Sequence, residues 1–217
     1  MNRKTILIVT GGDIEDTFVC GLIAEQDYDF VIACDRGMEF FRRNGLYPDL
    51  IVGDFDSANE ACVRYFQENT QVRLEQFPAE KDWTDTELAV RRALDLQPDH
   101  IDLVGAVGSR LDHVLGNLQL LDMGLEHGIE IFLIDAHNRV RLIDHSLTIG
   151  REEQYGSYIS LIPYNSTVNV SLYGMKYPLD HMDLAPGVTL GISNEIVEEQ
   201  AQICFTDGMM FVIESKD

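Results

Sequence analysis

Asp49-Leu50-Ile51-Val52-Gly53-Asp54-Phe55-Asp56-Ser57 is the stretch from which the rest of the sequence is read. Leu50, Ile51 and Val52 form an apolar run of the kind buried on both faces in a parallel sheet, and Gly53 ends it. Asp54 and Asp56 follow two residues apart, so an extended backbone aims both carboxylates to the same side. That side is the carboxyl edge, where open α/β sheets bind their ligands. Ser57 and Glu60 have capping-box spacing, which predicts a helix through Ala61, Val63, Tyr65 and Phe66 with Ser57 as its N-cap.

The same unit recurs on both sides. Strands are predicted at Thr5 to Thr10, Phe30 to Cys34, Val72 to Phe77, His100 to Val104 and Glu130 to Ile134. Helical patterns separate them, among them one long helix from about Leu111 to His127 that closes at Gly128. This alternation predicts a parallel sheet covered on both faces. After Asp135 the pattern changes to short strands: Val140 to Ile143, Tyr158 to Ile162, Val168 to Leu172, Gln202 to Phe205 and Met210 to Ile213. Asp207-Gly208 carries a hairpin signal between the last two, and Val188, Leu190 and Ile192 alternate as a strand. The expected fold is therefore α/β, an N-terminal parallel-sheet domain over residues 1–136 followed by a small antiparallel β-sandwich over residues 137–217, with the seam near His137.

At 217 residues and 45% hydrophobic the chain has the composition of a globular protein. No apolar stretch approaches the ~20 residues that span a bilayer, and no signal-peptide pattern follows Met1-Asn2-Arg3-Lys4. Cys20, Cys34, Cys62 and Cys204 form no CxxC pair and fall on apolar runs, which predicts reduced thiols and a cytoplasmic setting. Sixteen basic against 37 acidic side chains give a net charge of −21, which argues against nucleic acid or an anionic membrane as partner. A cationic small molecule is attracted by such a field, whereas an anionic nucleotide needs metal ions and local Lys or Arg to reverse its sign.

The acids follow a rule. Asp35 closes the second strand, Asp54 and Asp56 the third, Asp82 and Asp85 follow the fourth, and Asp112 opens the helix after the fifth, all on the carboxyl side. Two carboxylates ~4 Å apart repel by about 4 kcal/mol at an effective dielectric near 20, and a divalent cation relieves that. These residues are accordingly expected to share a metal site. All-oxygen ligands favour Mg²⁺, Mn²⁺ or Ca²⁺, and few carboxylates with open water positions favour Mg²⁺ bound together with a substrate phosphate. In Lys81-Asp82-Trp83-Thr84-Asp85-Thr86-Glu87, Thr84 and Glu87 make a second capping box. Asp85 is expected as a ligand; the alternative for an acid in a first turn is to favour the helix dipole. Lys81 either meets a phosphate or is solvated.

Gly105-Ala106-Val107-Gly108-Ser109-Arg110-Leu111-Asp112-His113 joins a strand to a helix, where backbone N–H groups can meet phosphates. It matches neither the dinucleotide fingerprint nor a Walker loop. Arg110 suits planar phosphate recognition; His113 is either part of the site or a helix-surface histidine.

Asp35-Arg36-Gly37, the GDFDS stretch at 53–57, the KDWTDTE stretch at 81–87, Gly108-Ser109-Arg110-Leu111-Asp112-His113 and Gly191-Ile192-Ser193-Asn194-Glu195 resemble, in order and spacing, the thiamine pyrophosphokinases. The resemblance runs from Asp35 nearly to the end and implies a nucleotide-binding α/β domain, a thiamine-binding β-sandwich and a homodimer. It implies transfer of a pyrophosphoryl group from ATP to thiamine, giving thiamine diphosphate and AMP. On that pattern Asp54, Asp56 and Asp85 hold Mg²⁺, and Asp35 lies beside it as ligand or proton acceptor. Lys81, Asp82, Arg110, Asp112 and His113 serve ATP, and Ser193 and Asn194 meet the aminopyrimidine of thiamine. Two other classes compete: a non-catalytic nucleotide or vitamin sensor, and another phosphoryl-transfer enzyme using Asp54-Phe55-Asp56 as a D-x-D motif. Trp83 and Met38 match no role in the pattern.

Overall fold

The computed structural model describes residues 3–56, 58–69, 71–78, 80 and 82–217. The chain divides into two compact units, Met1–Ala136 and His137–Asp217.

In the first unit, β1 (Thr5–Val9), β2 (Phe30–Cys34), β3 (Leu50–Gly53), β4 (Arg73–Gln76), β5 (His100–Val104) and β6 (Glu130–Ile134) alternate with α1 (Asp16–Glu25), α2 (Gly37–Asn44), α3 (Glu60–Asn69), α4 (Asp85–Asp95), α5 (Leu111–Gln119) and α6 (Leu121–His127). The strands are parallel, in the order β4-β3-β2-β1-β5-β6. Ile6, Leu7, Ile8 and Val9 of the central strand are all inaccessible to solvent, because helices cover both faces. Met38, Phe40 and Phe41 of α2 are buried as well, and Gly45, in the left-handed region at φ 66°, closes that helix.

Two local expectations are corrected. Helix α3 begins at Glu60, and the Asn59 side chain caps it by accepting from Ala61 N at 2.9 Å. Ser57, the expected cap, lies outside the described residues; its position is three residues before the helix starts. The predicted long helix is two, because Leu120 tightens the chain through Leu120 N to Asn117 O (3.2 Å) and Met123 N to Leu120 O (3.1 Å). Gly128 ends α6 at φ 68°, as expected.

The second unit is a sandwich. One sheet is β7 (Asn138–Ile143), β13 (Met210–Ser215) and β9 (Tyr158–Pro163), with β13 in the middle. The other runs β11 (Leu179–Leu184), β10 (Thr167–Tyr173), β12 (Gln200–Cys204) and β8 (Leu147–Gly150). Ile143, Ile159, Leu161, Met210 and Val212 from the first face Ile149, Val170, Leu172, Ala201 and Ile203 from the second in one apolar core. The β8 and β11 strands were not predicted. Asp207-Gly208 is no hairpin turn: β12 pairs with β10 and β8, and β13 with β7 and β9, so the pair carries the chain from one sheet to the other. Fully buried Glu214 on β13 accepts from Arg139 (2.8 and 3.0 Å) and Arg141 (3.2 Å) of β7 and from Tyr155 N (2.8 Å). Among the described residues no helix is long and apolar enough to cross a membrane.

Candidate active site

The strand order reverses between β1 and β5, since β2, β3 and β4 build outward on one side and β6 on the other. Such a switch point leaves a crevice at the carboxyl edge. A cleft of about 570 Å³ opens there, walled by residues from the loops after β1, β2, β3, β4 and β5.

Its floor is backbone. The loops after β1 and β5 interlock through Thr10 N to Val104 O (2.9 Å), Gly12 N to Gly105 O (2.9 Å) and Asp13 N to Val107 O (2.8 Å), while the Thr10 hydroxyl donates to Gly105 O. A Cβ on Gly12 would lie 2.2 Å from Val107 O and 2.3 Å from Gly105 O, so the crossing requires glycine. Buried Asn117 on α5 donates from Nδ2 to Ala106 O at 2.7 Å and fixes the second loop from behind. Thr10, Gly11, Gly12, Asp13, Arg36 and Asn117 line the cleft, and none of them was given a site role from sequence, although Arg36 stands in the quoted Asp35-Arg36-Gly37 stretch. The Gly11-Gly12-Asp13 run after the first strand was the available signal.

The acids approach from the neighbouring strands. Asp35 N donates to Val52 O at 2.8 Å, joining the turn after β2 to the end of β3. A Cβ at Gly53 would sit 3.2 Å from Asp35 Cα, closer than side chains ordinarily come. Asp35 (φ 48°) and Phe55 (φ 65°) both adopt left-handed backbone, uncommon outside glycine and concentrated at functional sites. The left-handed Phe55 overturns the extended geometry expected for Asp54 and Asp56. Asp54 lines the cleft; Asp56 is exposed, and its N–H donates to Asp54 Oδ1 at 2.9 Å.

Although β4 is the edge strand, α4 packs on β1, β2 and β3. The chain between them therefore doubles back and sets Trp83, Thr84, Asp85 and Thr86 on the cleft wall. Thr84 caps α4, its Oγ1 accepting from Glu87 N at 3.1 Å. The Glu87 carboxylate accepts from Arg91 (2.8 and 3.0 Å), and the Arg91 guanidinium stacks on the Trp83 ring at 4.8 Å. Asp82 is exposed and lies off the described wall, and Lys81 lies outside the described residues.

Arg110 and His113 line the far side. Arg110 pairs with Asp112 (2.6 and 3.2 Å), which lies off the wall. That hydrogen-bonded pair holds the Asp112 carboxyl down to about 2 and raises the guanidinium. Asp35, Asp54 and Asp85 thus share the cleft with Arg36, Arg110 and a floor of backbone amides. Among the described residues no three His, Cys, Asp or Glu side chains form a ready metal cage. An all-carboxylate donor set spread around an open cleft fits a hard divalent cation that completes its shell with water and substrate phosphate.

Ser193 and Asn194 belong to the second unit. Val188, Leu190 and Ile192 form no strand there: all three are exposed on a turn, with Ile192 N donating to Thr189 O at 3.3 Å. Apolar alternation misled because the chain turns here and meets β9 at separate points, Leu161 N donating to Gly191 O (2.9 Å) and Asn194 N to Ile159 O (2.9 Å), rather than along a continuous ladder. Ser193 is exposed at φ 55°. Asn194 is buried, its Oδ1 accepting from Tyr177 N and Glu195 N (2.9 Å each) and its Nδ2 donating to Tyr177 O at 2.8 Å.

Comparison with known proteins agrees along the whole chain. The family model for the thiamin pyrophosphokinase catalytic domain matches residues 24–133, and that for the thiamin pyrophosphokinase vitamin B1 binding domain matches residues 144–210. The chain is 36% identical over 216 residues to the thiamine pyrophosphokinase of Bacillus subtilis (strain 168), covering 99% of this chain and 100% of that one. A crystal structure of thiamine pyrophosphokinase from Bacillus subtilis matches with a TM-score of 0.86 at 36% identity, over 99% of this chain and 100% of that one. A crystal structure of a thiamin pyrophosphokinase family protein from Enterococcus faecalis matches with a TM-score of 0.83 at 33% identity, over 99% of each chain. Thiamin pyrophosphokinase from Candida albicans, at 17% identity, shares the fold with a TM-score of 0.82 over 98% of this chain and 89% of that one.

Proposed function

Because the chain belongs to the thiamine pyrophosphokinase family, we propose that the carboxyl-edge cleft of residues 1–136 binds ATP with Mg²⁺ and that residues 137–217 hold thiamine. The reaction is transfer of a pyrophosphoryl group from ATP to the hydroxyl of thiamine, giving thiamine diphosphate and AMP. In it the thiamine hydroxyl oxygen forms a bond to the β-phosphorus, the bond from that phosphorus to the oxygen shared with the α-phosphate breaks, and AMP departs with that oxygen. Such a step relies on positioning and charge neutralisation rather than on covalent help from the protein.

One observation carries the placement: Asp35, Asp54, Asp85 and Arg110, from four different loops, line one cleft. Asp54 and Asp85, joined by Asp56 from the same turn as Asp54, are proposed to hold Mg²⁺, which when bound neutralises phosphate charge. Asp35 is a further ligand or the acceptor of the hydroxyl proton. Arg110 and Lys81 offset phosphate charge, the Gly105–Gly108 loop offers N–H donors, and Asp82, Asp112 and His113 flank the nucleotide. For thiamine, Ser193 supplies an accessible hydroxyl and Asn194 holds the turn that presents it. The net charge of −21 favours the cationic thiazolium. A homodimer in the cytoplasm, without nucleic-acid or membrane partners, completes the proposal on the strength of the family pattern and the acidity.

Chromatography of ATP incubated with the protein and Mg²⁺ tests this directly. AMP and thiamine diphosphate must appear in equal amounts and only when thiamine is present. AMP without thiamine, or none with it, overturns the assignment, and sedimentation checks the dimer.

A further inference from the structure

Trp83 occupies a place that the reaction chemistry does not explain. It is the single tryptophan of the chain, stands on the cleft wall immediately before Thr84 and Asp85, and keeps 47% of its surface accessible. A half-exposed indole on a cleft wall presents a large flat face that an aromatic ligand can cover. The Arg91 guanidinium occupies one face at 4.8 Å and is itself fixed by two bonds to Glu87 (2.8 and 3.0 Å), so the ring is braced from behind. Elsewhere the wall combines glycines, hydroxyls, carboxylates, Arg36 and Arg110, groups suited to phosphate and metal, with the small aliphatic side chains of Ala106, Val107 and Val114; the imidazole of His113 is the other ring.

Resting on the ATP site proposed above, we infer that Trp83 is the platform on which the purine base of the nucleotide stacks. The two substrates differ at a face braced this way. A guanidinium behind the indole already uses the electron-rich quadrupole that attracts cations, so the cationic thiazolium gains little from the opposite face. A neutral purine loses nothing there, since it stacks by dispersion and area. Stacking of this kind tolerates any base, so Trp83 confers affinity for a nucleoside triphosphate without selecting adenine.

The single tryptophan makes the test direct. Titration of the full chain in Mg²⁺ with the α,β-methylene analogue of ATP, in which carbon replaces the bridging oxygen so that the bond from the β-phosphorus cannot be cleaved by transfer, should change tryptophan emission saturably. Inorganic tripolyphosphate and thiamine alone should not change it. Trp83→Ala should raise the KM for ATP by about 5- to 100-fold, with GTP affected alike and thiamine KM nearly constant, and Trp83→Phe should restore most of the loss. An emission change as large with tripolyphosphate or with thiamine, or an unchanged ATP KM in Trp83→Ala, overturns the platform. Wild-type turnover is measured alongside: turnover with a silent tryptophan defeats the platform alone, whereas nucleotide-dependent emission without thiamine-dependent AMP keeps it and defeats the assigned reaction.

Discussion

Asn117→Ala isolates the support of the phosphate-facing loop from the loop itself. The side chain is 8% exposed and Ala106 is 3% exposed, so the 2.7 Å bond from Nδ2 to Ala106 O has no water ready to replace it. Removing one partner of a buried pair leaves the other unsatisfied at a cost of about 1–3 kcal/mol, above the ~1 kcal/mol net worth of the bond. A loss near 2 kcal/mol should lower the melting midpoint of a chain this size by about 4–8 °C. Because Ala106 lies between Gly105 and Gly108, the same loss lets the backbone donors drift, and misplacement by an ångström can cost ~100-fold. The ATP KM should therefore rise by about tenfold or more, with thiamine KM nearly unchanged. Asn117→Asp keeps the volume but sets a carboxylate oxygen against a carbonyl, and should be at least as damaging at neutral pH. Differential scanning calorimetry with steady-state kinetics decides the matter. A midpoint within about 1 °C of wild type, or a thiamine KM that rises as much as that of ATP, would refute this role for Asn117.

Other perturbations have equally definite outcomes. Asp54→Asn should abolish thiamine-dependent AMP release while circular dichroism and melting stay native, since it removes a charge the cation needs and relieves repulsion in its absence; activity within a few-fold of wild type at saturating Mg²⁺ would displace the metal site. Arg110→Ala should weaken the ATP analogue by about tenfold or more in calorimetry, because charge-assisted bonds to phosphate are lost. The depressed Asp112 carboxyl contributes through its ion pair above the ordinary carboxylate range and loses that contribution only as pH falls toward about 2. Asp112→Asn should accordingly leave the shape of the ATP KM profile between about pH 5 and pH 9 parallel to wild type, and a step in that window that vanishes in the variant would show that the pair titrates there. Thr84→Ala deletes the 3.1 Å cap bond of α4 and should cost about 1 kcal/mol, whereas Thr84→Ser should restore it in thermal melts.

Residues whose role follows from chain direction were legible in the sequence. Asp35, Asp54 and Asp85 each end a strand or open the next helix, and strand direction alone carries them to one edge. Thr84 was legible as a cap because its spacing to Glu87 is local. What depended on backbone conformation was not: Phe55 at φ 65° separates Asp54 from Asp56, and a non-glycine residue gives no sign of that in sequence. What depended on long-range contact was also hidden. Gly12 and Asn117 matter because of Gly105, Ala106 and Val107, about a hundred and about ten residues away along the chain, a contact that the β1–β5 neighbourship creates. Asp207-Gly208 looked like a hairpin because local turn chemistry is the same whether the flanking strands pair or part.

The middle position of β13 has a consequence for synthesis. Strands β7 and β9 leave the ribosome well before it, yet neither pairs with the other; both pair with Met210–Ser215. Until that segment emerges, the nascent sandwich has a sheet without its centre, the two borders of β7 and β9 that face β13 unpaired and the Arg139 and Arg141 charges awaiting Glu214. In the α/β unit β1 likewise waits for β5, but the other strand pairs join successive strands. The newborn chain is therefore most exposed to edge-to-edge aggregation while the residues leading up to Met210–Ser215 are being translated, and chaperone dependence should concentrate there.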